Sequence, residues 1–251
     1  MGIIRIGELT TREVRTLLDA VEPTIVLQPV GSIEPHGPHL PLETDATISV
    51  AASERAGQQL QDAGFQVVMA PPIPYGVTEC AAAFAGAVTV ASSALTAYLH
   101  SVVDGYLRNG FDHVCLVNNH LEPAHDQAVR AALDGLPANK VSVACPLTRR
   151  WGRTLSDEFK SGECHAGRYE TSIMMAADPE QVDNELRTGL PEVPISLSVK
   201  LREGVVDFQE MGLSEAYCGD PAEATATEGD ELLERLATMV VTEVLEAMRG
   251  E

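Results

Sequence analysis

Apolar and polar positions alternate along this chain in two different rhythms. Short unbroken apolar runs, Thr24-Ile-Val-Leu-Gln-Pro-Val30, residues 65–70, residues 112–117 and residues 141–145, read as buried strands. Between them, residues 45–60, 92–109 and 123–136 repeat apolar side chains at helical spacing. A further helix is expected at 168–177, and a long one at 222–249 with apolar residues at 232, 233, 236, 240, 244 and 248. Thr10-Thr-Arg-Glu13 has the form of a capping box, opening a short helix with Val14, Leu17 and Leu18 on one face. Gly64 and Gly110 are placed as helix stops. Strands and helices in strict alternation predict βαβ units, hence an α/β fold with a mostly parallel sheet covered on both faces. Residues 148–167 read as polar loop, and 189–220 as an irregular, Pro- and Gly-punctuated excursion over the site. Without a linker or an internal repeat, one domain spanning 1–251 is expected.

Composition narrows the partners. The 37 acidic residues against 17 basic ones give a formal charge of −20, which repels phosphate backbones and anionic lipid and argues against nucleic acid and membrane surfaces. The five cysteines are odd in number and form no C-x-x-C pair, the pattern of reduced thiols in a reducing compartment. Residues 1–7 have neither a long apolar core nor a cleavage site, and no apolar run approaches the ~20 residues of a bilayer span, so a soluble cytoplasmic protein is expected.

The chemistry lies where two apolar runs end. The first ends in Gly31-Ser-Ile-Glu-Pro-His-Gly-Pro-His-Leu-Pro-Leu-Glu-Thr-Asp45, a turn stiffened by three prolines. The second ends in Asn118-Asn-His-Leu-Glu122. Glu34 and His36, like His120 and Glu122, stand at i and i+2 and leave one face of an extended backbone. With Asp45 they total two imidazoles and three carboxylates. One metal needs about four ligands, whereas two metals sharing a carboxylate use this set economically. Mixed nitrogen and oxygen donors suit Zn²⁺ and Mn²⁺, with Fe²⁺ also compatible, and the lack of thiolates argues against a structural zinc site. Carboxyl ends of strands in an open α/β sheet are where ligands bind.

These segments resemble the signature of the creatininase (creatinine amidohydrolase) family, and the resemblance continues through His165-Ala-Gly-Arg-Tyr-Glu-Thr-Ser172 and residues 212–226. It implies a three-layer α/β/α fold, a binuclear metal amidohydrolase and a homo-oligomer, often a hexamer. By that resemblance Glu34 and His120 hold one ion, His36 and Glu122 the other, and Asp45 bridges them. His165 matches the family's catalytic histidine, which would protonate the leaving nitrogen. Glu170 either replaces Glu122 as a ligand or orients His165. His39, Glu43, His125 and Asp126 are expected around the site, and His100 and His113 away from it.

The reading is therefore a hydrolase of a C–N bond in a small amide, lactam or formamide. Creatinine itself, a peptide trimmed from a cofactor precursor, and a non-catalytic metal-stabilised assembly subunit are the alternatives. Creatininase proper has an aromatic residue after its second metal-binding histidine and a tryptophan before the catalytic one. Here Leu121 and residues 160–164 supply neither, so an aromatic cage for creatinine is not expected.

Overall fold

The computed structural model describes residues 2–250; Met1, part of the amino-terminal stretch read above, and Glu251 lie outside them. Five parallel strands form one sheet: β1 (Ile4–Arg5), β2 (Thr24–Val30), β3 (Gln66–Met69), β4 (His113–Asn118) and β5 (Val141–Ala144), in the order β1-β3-β2-β4-β5. Side chains alternate between its faces. Ile25, Leu27, Cys115 and Val117 enter one apolar cluster, while Val26, Val30, Val114 and Leu116 enter the other. Burial on both faces is why these strands read as continuous apolar runs.

Helix α2 (Thr44–Asp62), the helix Arg168–Ala177 and the C-terminal helix Ala226–Arg249 cover the first face. Helices α1 (Thr11–Leu18), α3 (Ser92–Asn109) and α4 (Pro123–Ala131) cover the second, giving the three layers the resemblance implied. The capping box at Thr10 and Glu13 forms as read, and Gly110 ends α3 in the left-handed region at φ 102°.

Three elements differ from expectation. The two-residue β1 is too short to carry a pattern. Helix α4 stops at Ala131 and continues only as turns, because Gly135 is left-handed at φ 81° and Pro137 follows. The segment expected as polar loop contains short helices at Arg149–Gly152 and Asp157–Ser161, and buries Trp151 against the first face. The excursion at 189–220 holds further short helices, Leu197–Arg202 and Phe208–Met211. No helix among the described residues is long and apolar enough to cross a membrane, and all five cysteines are free and buried.

Strand order fixes where a site can form. From β2 the chain passes through α2 on one face to β3; from β4 it passes through α4 on the other face to β5. Because β2 and β4 are neighbours whose connections leave in opposite directions, a crevice opens beyond their carboxyl ends. At Gly31 a Cβ would sit 2.5 Å from the backbone nitrogen of Ala46. Only glycine lets the end of β2 touch the first turn of α2, and that contact brings Asp45 back over the crevice.

Candidate metal centre

Glu34 and His36 lie on the loop after β2, Asp45 in the first turn of α2, and His120 just beyond β4. Glu170 occupies the first turn of the helix Arg168–Ala177, five residues after His165. All six are buried. Both helix-borne carboxylates sit where the helix dipole and free N–H groups favour an anion, and the Ala166 N–H donates to Glu170 Oε2 at 2.7 Å.

Each histidine has one nitrogen pinned by a backbone carbonyl. His36 Nδ1 lies 3.0 Å from the Glu34 carbonyl, His120 Nε2 2.7 Å from that of Val77, and His165 Nε2 2.9 Å from that of Pro35. A carbonyl only accepts, so those nitrogens carry the hydrogens and the opposite nitrogens carry lone pairs. The lone pairs face carboxylates. His36 Nε2 stands 3.3 Å from Asp45 Oδ1, 3.6 Å from Glu170 Oε2 and 3.9 Å from Glu34 Oε1. His120 Nδ1 stands 3.0 Å from Asp45 Oδ2 and 3.3 Å from Glu34 Oε1. Two groups of potential ligands emerge, Glu34–Asp45–His120 and His36–Asp45–Glu170, and they share Asp45.

Acceptors facing acceptors in a buried place repel unless a proton or a metal cation lies between them. His36 Nε2 has no hydrogen-bond partner at all. The same field moves the proton affinities. Burial pushes the His36 imidazole down, but Asp45, Glu170 and Glu34 outweigh it and raise its pKa to about 10. His120 is likewise raised well above its ordinary value, against burial, by Glu34 and Asp45. Burial, joined by the neighbouring carboxylates, pushes Glu170 up despite His36. The donor set thus fits a divalent cation. The pinned tautomers match the way metal-binding histidines are held, with the far N–H on a carbonyl or carboxylate.

His165 differs from the other two. Its Nδ1 is 3.8 Å from Glu34 Oε1, and its ring lies against His36 and Phe208 at centroid distances of 4.5 and 4.7 Å. Burial and then His36 lower its pKa to about 4. Glu122 is brought near the cluster but not into either bridged group. It caps α4 by position, and its two carboxylate oxygens accept the Glu79 and Cys80 N–H groups at 3.2 and 3.1 Å. Of the two carboxylates left open as the partner of His36, the structure therefore brings Glu170, not Glu122, to that nitrogen.

Among the outer residues, His39 Nε2 meets the Thr171 hydroxyl at 2.8 Å, tying the ligand loop to the helix that carries Glu170. His125 packs edge-on to His120, whereas Glu43 is exposed. His100 and His113 lie elsewhere, bonded to the Ala132 carbonyl and the Ser142 hydroxyl. Two supporting hydroxyls were not legible in the sequence. Thr78 donates to Glu34 Oε2, and Ser32 to Asp45 Oδ2 at 2.8 Å. Thr78 comes from the aperiodic loop after β3, where no pattern marks it.

A cavity of about 660 Å³ opens over the centre. Glu34, Asp45, His120 and Glu170 form its floor, and Leu121, Phe159, Leu201 and Phe208 stand among its walls. Trp151 is not one of them, because its indole turns inward and donates to Glu243. The aromatic surface expected to be missing comes instead from Phe159 and Phe208.

The family model described as Creatininase: Creatinine amidohydrolase matches residues 7–244. The mycofactocin precursor peptide peptidase of Mycolicibacterium smegmatis is 31% identical over 234 residues, covering 90% of this chain and 85% of that protein. The creatinine amidohydrolase of Pseudomonas putida is 25% identical over 198 residues, covering 71% and 73%. In three dimensions, a manganese creatininase superposes at TM-score 0.76 with 20% identity, over 98% of this chain and 99% of that one. A Zn–Zn creatininase superposes at 0.73 with 19% identity, over 98% of each chain.

Proposed function

The chain belongs to the creatininase family of hydrolases, and from that membership we propose that it binds two divalent ions and hydrolyses a C–N bond in a small amide. Glu34, Asp45 and His120 would hold one ion, and His36, Asp45 and Glu170 the other. The observation that carries this reading is the buried confrontation of histidine lone pairs with carboxylates across a single shared aspartate. Zn²⁺ and Mn²⁺ suit these donors, and both metals occur in the names of structurally similar creatininases. When bound, such ions would supply Lewis acidity that polarises a carbonyl and lowers the pKa of an attacking water.

The protein's own groups do the rest. Ser32 and Thr78 fix the orientation of Asp45 and Glu34, so neither carboxylate needs to reorganise during reaction. His165, with its Nε2–H held by Pro35, offers Nδ1 over the floor of the cavity. Its lowered proton affinity keeps that nitrogen unprotonated, so His165 would first accept a proton from the attacking water at Nδ1 and then pass it to the amide nitrogen, which is too basic to depart unprotonated. The leucine and phenylalanine walls exclude water from the remainder of the substrate. Glu122, lining the cavity without joining the ligand groups, borders the reacting atoms. Cytoplasmic location and a homo-oligomer, a hexamer by family resemblance, complete the reading; the five free cysteines support the former.

The test is turnover of an amide panel by protein loaded with Zn²⁺ or Mn²⁺, with a chelated control. The panel includes creatinine, cyclic amides, N-formyl compounds and short peptides. Hydrolysis that disappears on chelation and returns with either ion is expected. Loaded protein inert on every amide overturns the reading.

A further inference from the structure

The chain carries 37 acidic residues against 17 basic ones, and half of its arginines are matched to a carboxylate. Arg5, Arg55, Arg108, Arg130, Arg150, Arg168 and Arg235 each hold an acid within 4 Å. Around the cavity mouth the balance reverses. Arg149, Arg153 and Arg202 line it, and among the described residues none of the three pairs with a carboxylate; Arg202 Nε donates to the Ser198 carbonyl. Lys160 joins them, engaged with the fully exposed Asp157 at 3.1 Å. The acids that line the same cavity, Glu34, Asp45, Glu122 and Glu170, all lie buried at its depth. The cavity therefore has an acidic floor, apolar walls and a cationic rim.

Unpaired guanidinium groups gathered at one mouth of a strongly anionic protein are an anion-selecting device. They offset the repulsion that the net charge imposes on any approaching anion, and their planar forks match a carboxylate bidentately. Arg149 opens the short helix Arg149–Gly152, Arg153 follows its last residue, and Arg202 ends the helix Leu197–Arg202, so the rim is drawn from two separate segments of the chain. A volume of about 660 Å³ suits a ligand long enough to span from the floor to this rim.

We propose that the substrate is an amide bearing a free carboxylate, separated from the scissile bond by an apolar segment, as in an N-acyl amino acid or the carboxyl end of a short peptide. This rests on the hydrolase reading above, deepening it from amide to anionic amide. The scissile carbonyl lies at the floor, the apolar segment lies along Leu197, Leu201 and Phe208, and the carboxylate meets Arg149, Arg153 and Arg202.

The experiment pairs each ligand with its neutral methyl ester: N-butyrylleucine and a tripeptide with a free carboxyl end, each against its ester. Affinity is measured by calorimetry and kcat/KM by amide cleavage, on Zn²⁺-loaded protein. Charge-assisted hydrogen bonds of this kind predict a roughly 10- to 100-fold preference for the carboxylate in both measurements. In the triple variant Arg149→Gln, Arg153→Gln, Arg202→Gln the ratio should collapse towards one, with metal content unchanged. The control Arg12→Gln, Arg15→Gln, distant unpaired cations, should keep it. Turnover with no preference for the carboxylate, or a preference that survives the triple variant, overturns the proposal. Anion-selective binding without cleavage of any amide would instead uphold the rim and remove only the hydrolase reading. Preference shown by the tripeptide alone would assign the carboxylate to a peptide end; preference shown by both would assign it to any acylated amino acid.

Discussion

Strands β2 and β4 bury histidines near both of their ends, and the two ends treat them oppositely. At the amino end His113 is fully buried, with Nε2 2.9 Å from the Ser142 hydroxyl, and the neighbouring Thr24 N–H donates to the Asp112 carboxylate at 2.9 Å. No carboxylate faces the ring, so burial alone dominates and lowers its pKa to about 4. At the carboxyl end His36 and His120 are just as buried, yet their proton affinities rise. Desolvation is common to both ends; what differs is the charge set around each ring. At one end the ring is buried with a neutral hydroxyl as its partner and no charge beside it. The other sets imidazoles against carboxylates, an arrangement that calls for a proton or a metal cation between them.

The contrast breaks most completely at Asp45, the one carboxylate shared by both ligand groups. Asp45→Ala should drop metal content from about two ions per chain to well below one and take turnover to background. Loss of a single ion, measured by metal analysis after loading, would show that Asp45 does not bridge. Next in size is His165, which belongs to the carboxyl end without belonging to either bridged group. His165→Ala should keep the ions and lower kcat by roughly 10²–10⁴. Departure of the ions would make His165 a ligand.

Much of this end was legible in the sequence because its scaffold is regular. Two strands buried on both faces gave unbroken apolar runs, and polar residues directly after them had to emerge at the crevice. Glu34, His36, Asp45 and His120 were found that way. The His120–Glu122 spacing was less informative. The Glu122 carboxylate is held by N–H groups from residues 79 and 80, which belong to a loop with no periodicity. Glu170 emerges from a helix start far along the chain, so only the family resemblance marked it. The cationic rim was illegible for a related reason: Arg149 and Arg202 stand on helices of four and six residues, too short for a pattern. Phe208 likewise reaches His165 only through tertiary packing.

The amino end makes its own prediction through pH. An unfolded histidine takes up a proton below about 6.5, whereas native His113 resists until about 4. Its contribution is therefore fully present above pH 6.5 and is lost as pH falls towards 4, an effect on the order of 3 kcal/mol over the window. Denaturant unfolding of wild type and His113→Gln between pH 7.5 and 4.5 isolates that share, because the other histidines are common to both proteins. The wild type should lose stability more steeply, by close to one bound proton. Parallel curves would mean that His113 is not held neutral and that the two ends are less different than the geometry indicates.

The smallest expected effect sharpens the comparison within the carboxyl end itself. The two ligand groups are supported unequally. Glu34 and Asp45 Oδ2, on the His120 side, are held by the hydroxyls of Thr78 and Ser32. On the His36 side no side-chain hydroxyl among the described residues plays that part, and Glu170 accepts the Ala166 N–H. Thr78→Val keeps shape and burial while removing the donor, leaving Glu34 free to turn. Lost outer support of this kind typically weakens metal affinity by about 10- to 100-fold. The loss should appear in only one of two steps when the protein is titrated against a chelating dye. Ser32→Ala should weaken the same step, since Ser32 holds the Asp45 oxygen that faces His120 rather than the one that faces His36. If both steps weakened together, the ions would be coupled through Asp45 more tightly than through their separate ligands. The centre would then behave as one site with two metals instead of two sites with a shared wall.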